Sequence, residues 1–203
     1  MYINHNHRIN KWAITDADQL AHTVMMVVLS IQQPWHSVGM QLKDMRKQGM
    51  KSRFVWGNKR KTYMWLTMHK DELYNNVIRA NTEVEQLLAY LDVPGLGLPK
   101  AGFMVQLAHG GGGCLDIHNI RRYKLDPKTL AWSNPKTEAL RIQKAQDYIE
   151  LCSELGGSME LWDRWCNLIA EKNPVKFTDG HHVSAVHLSY LTDSYNNVTK
   201  EAV

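Results

Sequence analysis

The chain has 203 residues, 44% of them hydrophobic, with a net charge of +4 and a pI near 8.9; that length suits one domain and can bury roughly 70% of the surface of its unfolded form. No run is long and apolar enough to span a membrane, and the stretch from Met1 to Trp12 lacks an apolar signal core, so an intracellular location is expected. Three widely spaced cysteines, Cys114, Cys152 and Cys166, exclude a disulfide framework and a paired-cysteine metal site, and are expected as buried free thiols.

Helical spacing dominates the chain. Leu20, Val24, Val27, Val28 and Ile31 fall on one face, with Asp16 and Gln19 placed as a capping box ahead of them. Between Lys43 and Lys61, eight cations stand against the single acid Asp44. Such a cluster suits a polyanionic partner, or a solvated loop that keeps the chain soluble. Within it, Arg53 to Leu66 carries strand-like runs on either side of Gly57-Asn58 and is expected as one small basic β-hairpin. Val84, Leu87, Leu88 and Leu91 repeat at helical spacing, and Ala101 to Ala108 is apolar nearly all round, as a central buried helix should be. Ile142, Ala145, Ile149 and Cys152 mark a further helix stopped by Gly156-Gly157. Ser158 can cap the next, burying Leu161, Trp165, Leu168 and Ile169, and Val183, Val186, Tyr190 and Leu191 suggest a last one. The expected fold is therefore all-α apart from that hairpin, in a single domain over residues 1–203.

The informative stretch is Val93 to Tyr123. Gly95 and Gly97 permit backbone conformations closed to other residues, and Pro94 stiffens the entry to the turn they form. A turn opening into a helix points free N–H groups outward at the positive end of the helix dipole, so it can hold a phosphate; it can equally be an ordinary helix-to-helix turn. Lys100, in the first turn of the second helix, adds a charge. Gly110 to Gly113 is an uninterrupted glycine run, able to bring backbone close to a phosphate or pyrophosphate, or to serve as a flexible connection. Asp116 precedes a short predicted helix, Ile117 to Tyr123, and can be its N-cap; the helix end favours its ionised form.

The segments VVLSIQQPW (Val27 to Trp35), VPGLGLPKAGFMVQL (Val93 to Leu107) and CLDIHNIRRY (Cys114 to Tyr123) together resemble, in order and spacing, the helix-hairpin-helix DNA glycosylase superfamily of the endonuclease III and MutY relatives. The resemblance covers about half of the chain and implies a two-lobed helical fold, with the helix-hairpin-helix at about 82–108 and a catalytic loop and short helix at about 109–123. It implies that DNA is gripped at Gly95, Gly97 and Lys100, that Gln32 and Gln33 fill the gap left by a flipped nucleotide, and that Asp116 is the catalytic carboxylate. Arg53, Lys59, Arg60 and Lys61 of the basic segment would add phosphate contacts.

Two departures narrow the chemistry. In bifunctional glycosylases a catalytic lysine follows the hairpin; here Pro99 holds that place and Lys100 comes one residue later, which on a helix turns it by 100°. The four-cysteine iron–sulfur motif of endonuclease III is absent from the sequence. KAGFMVQL, CLDIHNIRRY and ELWDRWCNLIAE look more like a bacteriophage branch of the superfamily, the amino acid:DNA transferases and α-glutamyl/putrescinyl-thymine pyrophosphorylases. That likeness implies replacement of pyrophosphate on a 5-pyrophosphomethyluracil base by an amine, with the glycosidic bond left intact, in the host cytoplasm. Asp116 would orient or deprotonate the amine, and Gly111, Gly112, His118, Asn119, Arg121 and Arg122 would hold the substrate or its pyrophosphate. The partners are then double-stranded DNA with a modified pyrimidine and a small amine or amino acid, with no membrane and no cofactor. A monofunctional DNA N-glycosylase and a non-catalytic DNA-binding module are the alternatives.

Other candidates carry less. The histidine groups His5/His7 and His181/His182/His187 lack the spacing and the carboxylates of a metal site. Trp35, Trp56 and Trp65 border the basic segment and can stack on an extruded base or pack in the core.

Overall fold

The computed structural model describes residues 14–31, 33, 37–132 and 135–161, and all of its regular elements are helical. Among the described residues there is no strand. In chain order the helices are α1 (Ala17–Leu29), α2 (Val38–Gln48), a short 3-10 turn (Gly49–Lys51), α3 (Gly57–Arg79), α4 (Glu83–Leu91), α5 (Leu98–His109), α6 (Ile117–Tyr123) and α7 (Glu138–Glu154).

Four of these helices, α1, α4, α6 and α7, start where a side chain accepts from their unbonded amides. Asp16 caps α1, its Oδ1 accepting from Gln19 N at 2.8 Å, while Gln19 Oε1 accepts from Thr15 N at 2.9 Å. The expected box thus closes on Thr15 rather than on Asp16 itself. Thr82 and Glu85 form a complete capping box on α4, and Thr137 caps α7.

From Thr23 to Leu29 every residue of α1 is buried, and from Ala101 to Leu107 every residue of α5. These two helices form the centre. α3 lies against α1, α4 against α3 and α5, and α7 against α4 and α5. The buried side chains make one continuous cluster running from Leu20 to Leu161.

The expected β-hairpin at Arg53 to Leu66 is corrected: Gly57 begins a helix of 23 residues. Trp56, just before it, is extended, at φ −134° and ψ 164°. Thr62, Leu66, Leu73 and Val77 are the buried residues of α3, an i, i+4, i+11, i+15 stripe that only a helix can turn toward α1. Burial over four turns outweighs the β-propensity of Tyr63 and Trp65. The face of α7 also differs: Ala145, Tyr148 and Cys152 are buried, whereas Ile142 is exposed and Ile149 only half-buried. Leu161 is buried as expected. Trp165, Leu168, Ile169, Cys166, ELWDRWCNLIAE after Leu161, the Val183 to Leu191 segment, Trp35 and the two histidine groups lie outside the described residues.

Candidate functional site

The turn between α4 and α5 is closed by Leu96 N donating to Val93 O at 3.1 Å, and by Lys100 N and Ala101 N both donating to Gly97 O. Those bonds use none of the amides of Gly95, Gly97 and Leu98. Gly97 is the N-cap of α5 and Pro99 occupies its first turn, so the cap residue has no side chain to accept from the helix-start donors. Gly95 is exposed, with φ at +92°, a region that disfavours any side chain.

The start of α3 packs against this turn. Thr62 Oγ1 donates to Pro94 O and also contacts Asn58 O, and Asn58 lies beside Gly95. Arg60 and Lys61 are exposed on α3, and Arg53, also exposed, stacks its guanidinium over Phe54. Trp56, 65% exposed, stands at the head of the same helix. Lys59 is turned inward: its Nζ donates to Leu29 O at 3.3 Å, at the end of α1, and burial holds its pKa down. Gln33 is exposed, and Gln32 lies outside the described residues.

After α5 the glycine run crosses the core. Gly111, Gly112 and Gly113 are buried. Gly112 N donates to Glu83 Oε2 at 2.9 Å, and the Glu83 carboxylate fills the space beside Gly111. A carboxylate of the chain's own thus takes the donor expected for a pyrophosphate. The rest of the loop is held as tightly. Tyr148 Oη donates to Gly113 O at 2.7 Å and accepts from Leu115 N at 3.2 Å. Gln106 Oε1 accepts from Cys114 N at 3.2 Å while its amide nitrogen donates to Ser158 O at 2.8 Å. Asn119 Nδ2 donates to Cys114 O at 2.6 Å.

This loop delivers Asp116 as the N-cap of α6, with Oδ1 accepting from His118 N at 3.0 Å and Asn119 N at 3.1 Å. The carboxylate is half-buried. Burial pushes the Cys114 thiol up to about 12, the Lys100 ammonium draws it down, and the Asp116 carboxylate raises it. Both charges therefore act on one sulfur, although the residues lie on different elements. The Lys100 ammonium also sits 5.7 Å from the Phe103 ring centroid. Of the expected pyrophosphate ligands, Asn119 is buried and engaged in the loop, His118 is half-buried, and Arg121 and Arg122 are exposed on α6.

Glu83, Gln106, Tyr148 and Thr62 were not legible as site residues. The Thr82-to-Glu85 capping pattern could have placed the start of α4, and Gly102 inside a buried helix could have signalled a close approach. No group of three or more His, Cys, Asp or Glu able to hold a metal ion is present among the described residues, and no described helix is long and apolar enough to cross a membrane. Compared with known protein families, curated proteins and solved structures, the chain matches none.

Proposed function

We propose that this chain is a DNA base-modifying enzyme with a glycosylase-like, two-lobed helical fold, acting on a pyrimidine swung out of duplex DNA. The observation that carries the reading is the mounting of Asp116: a half-buried carboxylate at the N-cap of α6, on a loop held by four side chains, shortly after the glycine hairpin. A cap alone does not require the preceding loop to be held at both sides of Cys114.

In this reading, the amides of Gly95 and Gly97 with Lys100, Arg53, Arg60 and Lys61 hold DNA phosphates. Gln32 and Gln33 fill the vacated stack, and Trp56 packs on exposed bases. The first chemistry is amine transfer to a 5-pyrophosphomethyluracil base. The amine nitrogen bonds to the exocyclic carbon as the carbon–oxygen bond to pyrophosphate breaks. Pyrophosphate leaves with the electron pair, and the amine proton passes to Asp116. In the same reading, Arg121, Arg122 and His118 receive the leaving group.

The engagement of Gly112 N by Glu83 favours a second reading, because it removes one donor that pyrophosphate would use. A monofunctional N-glycosylase needs no such donor; Asp116 would then stabilise a cationic sugar as the base leaves.

Mass spectrometry of nucleosides separates the two. Hydroxymethyluracil DNA and pyrophosphomethyluracil DNA are incubated with the protein, with and without amino acids. A new amine-linked nucleoside with released pyrophosphate supports transfer, and free base supports excision. Under either chemistry Asp116→Asn should lower the rate by roughly a hundredfold or more; full activity of that variant would remove Asp116 from the mechanism. Failure to bind DNA at low salt, where phosphate contacts are strongest, would remove the whole reading.

A further inference from the structure

Tyr148 is among the largest fully buried side chains of the molecule, and it lies on α7, remote in sequence from the loop it contacts. Its ring and hydroxyl fill the space beside Gly102 of α5. A methyl group on Gly102 would come within 2.5 Å of both Gly113 O and the Tyr148 ring, so α5 is built without a side chain where the tyrosine enters. Burial raises the phenol pKa, so the group stays a neutral donor and acceptor across the physiological range.

The hydroxyl uses both capacities on one short segment. It donates to Gly113 O and accepts from Leu115 N, bracketing Cys114, and Leu115 is bonded directly to Asp116. A core tyrosine whose only task is to fill volume needs one partner. This one fixes two successive peptide planes, 113–114 and 114–115, one plane short of Asp116. Glu83 and Gln106 hold Gly112 and Cys114 from the other helices, but each of them meets a single group of the loop.

We infer that Tyr148 is a positioning residue for Asp116: one buried hydroxyl sets the backbone from which the carboxylate projects, and so its direction toward a substrate. The inference rests on the proposed role of Asp116, and its test is built to separate the two.

Tyr148→Phe keeps the ring and deletes only the hydroxyl. Amide hydrogen exchange is measured at His118 and Asn119, whose N–H groups donate to Asp116 Oδ1, with the capped amide of Glu85 as internal reference. Exchange at His118 and Asn119 should quicken roughly tenfold, the size of one lost hydrogen bond, with Glu85 unchanged. Equal exchange at all three sites in parent and variant would overturn the inference, whatever the protein catalyses. In the nucleoside assay, Tyr148→Phe should lower kcat about tenfold with KM unchanged, and should cost nothing further in an Asp116→Asn background. An equal additional loss in that background would show a general structural role and also overturn the inference. Should Asp116→Asn prove fully active, Asp116 drops out of the proposed mechanism, while the exchange measurement still decides whether Tyr148 holds the carboxylate. If Tyr148→Phe does not fold, exchange in the parent decides: the Leu115 amide, which donates to the hydroxyl, should open together with those of His118 and Asn119, and independent opening would overturn the inference.

Discussion

At the scale of single residues, the chain uses polar groups in the interior to hold backbone. Asn119, Gln106 and Thr62 are buried and each bonds a carbonyl or amide of another segment. An unpaired buried amide costs about as much as these bonds gain, so removing one partner costs more than its bond alone. His22 is a different case. Burial, reinforced by the nearby positive charge of Arg46, lowers its pKa from 6.5 to about 4. The folded state therefore keeps the ring neutral where the unfolded chain takes up a proton. That contribution to stability is whole above pH 6.5 and is lost as pH falls toward 4, amounting to about 2 kcal/mol by pH 5. Thermal unfolding of the parent and of His22→Gln at pH 7 and pH 5 checks the sign. The variant should lose distinctly less stability over that interval, and equal losses would mean that His22 does not stay neutral in the fold.

Among the elements, the hairpin and the loop before Asp116 contrast. The α4 to α5 turn is defined locally, by Gly95 at φ +92° and by Thr62 pressed against it. A methyl at position 95 would stand 2.9 Å from Thr62 Oγ1 in a backbone region closed to it. Gly95→Ala should accordingly cost about 1–3 kcal/mol and weaken DNA binding, both measurable by denaturant titration and by fluorescence anisotropy. An unchanged melting midpoint would mean that the turn is not held in this conformation. The Gly110 to Gly113 loop has no such local definition. Its shape is imposed by Glu83 from α4, Gln106 from α5 and Tyr148 from α7.

For the molecule as a whole, the packing of α3 decides where charge meets the hairpin. By placing Asn58 and Thr62 on the turn, it leaves exposed Lys61 beside that face and turns exposed Arg60, two positions from each of them, to the far side of α3. Lys59, one position away, faces the end of α1 instead. The three lysine and arginine neighbours should therefore behave differently. If DNA is held at this turn as proposed, removing Lys61 should lower the slope of log affinity against log salt by roughly one, the value of one phosphate contact, and removing Arg60 by less. Lys59→Ala should leave that slope nearly unaltered and reduce stability, because it strips the Leu29 carbonyl of its ammonium. A slope equally reduced by Lys59→Ala would place that ammonium on the DNA rather than on α1.

The sequence by itself determined the features that depend on near neighbours along the chain. The helical stripes of α1, α4 and α5, the glycine turn at 95–97 and Asp116 as a cap are written in spacings of a few residues, because helix period, capping and positive φ act within one or two turns. The tertiary structure alone decided the helical state of Arg53 to Leu66 beyond Trp56, the inward turn of Lys59, and the partners of the glycine run. Those outcomes rest on contacts between residues 29 to 35 positions apart: Glu83 with Gly112, Lys59 with Leu29, Thr62 with Pro94 and Tyr148 with Gly113. No local pattern encodes which distant side chain will reach a given amide; that is fixed when the apolar faces of α1, α3, α4, α5 and α7 close on one another and the buried backbone must find a donor or acceptor.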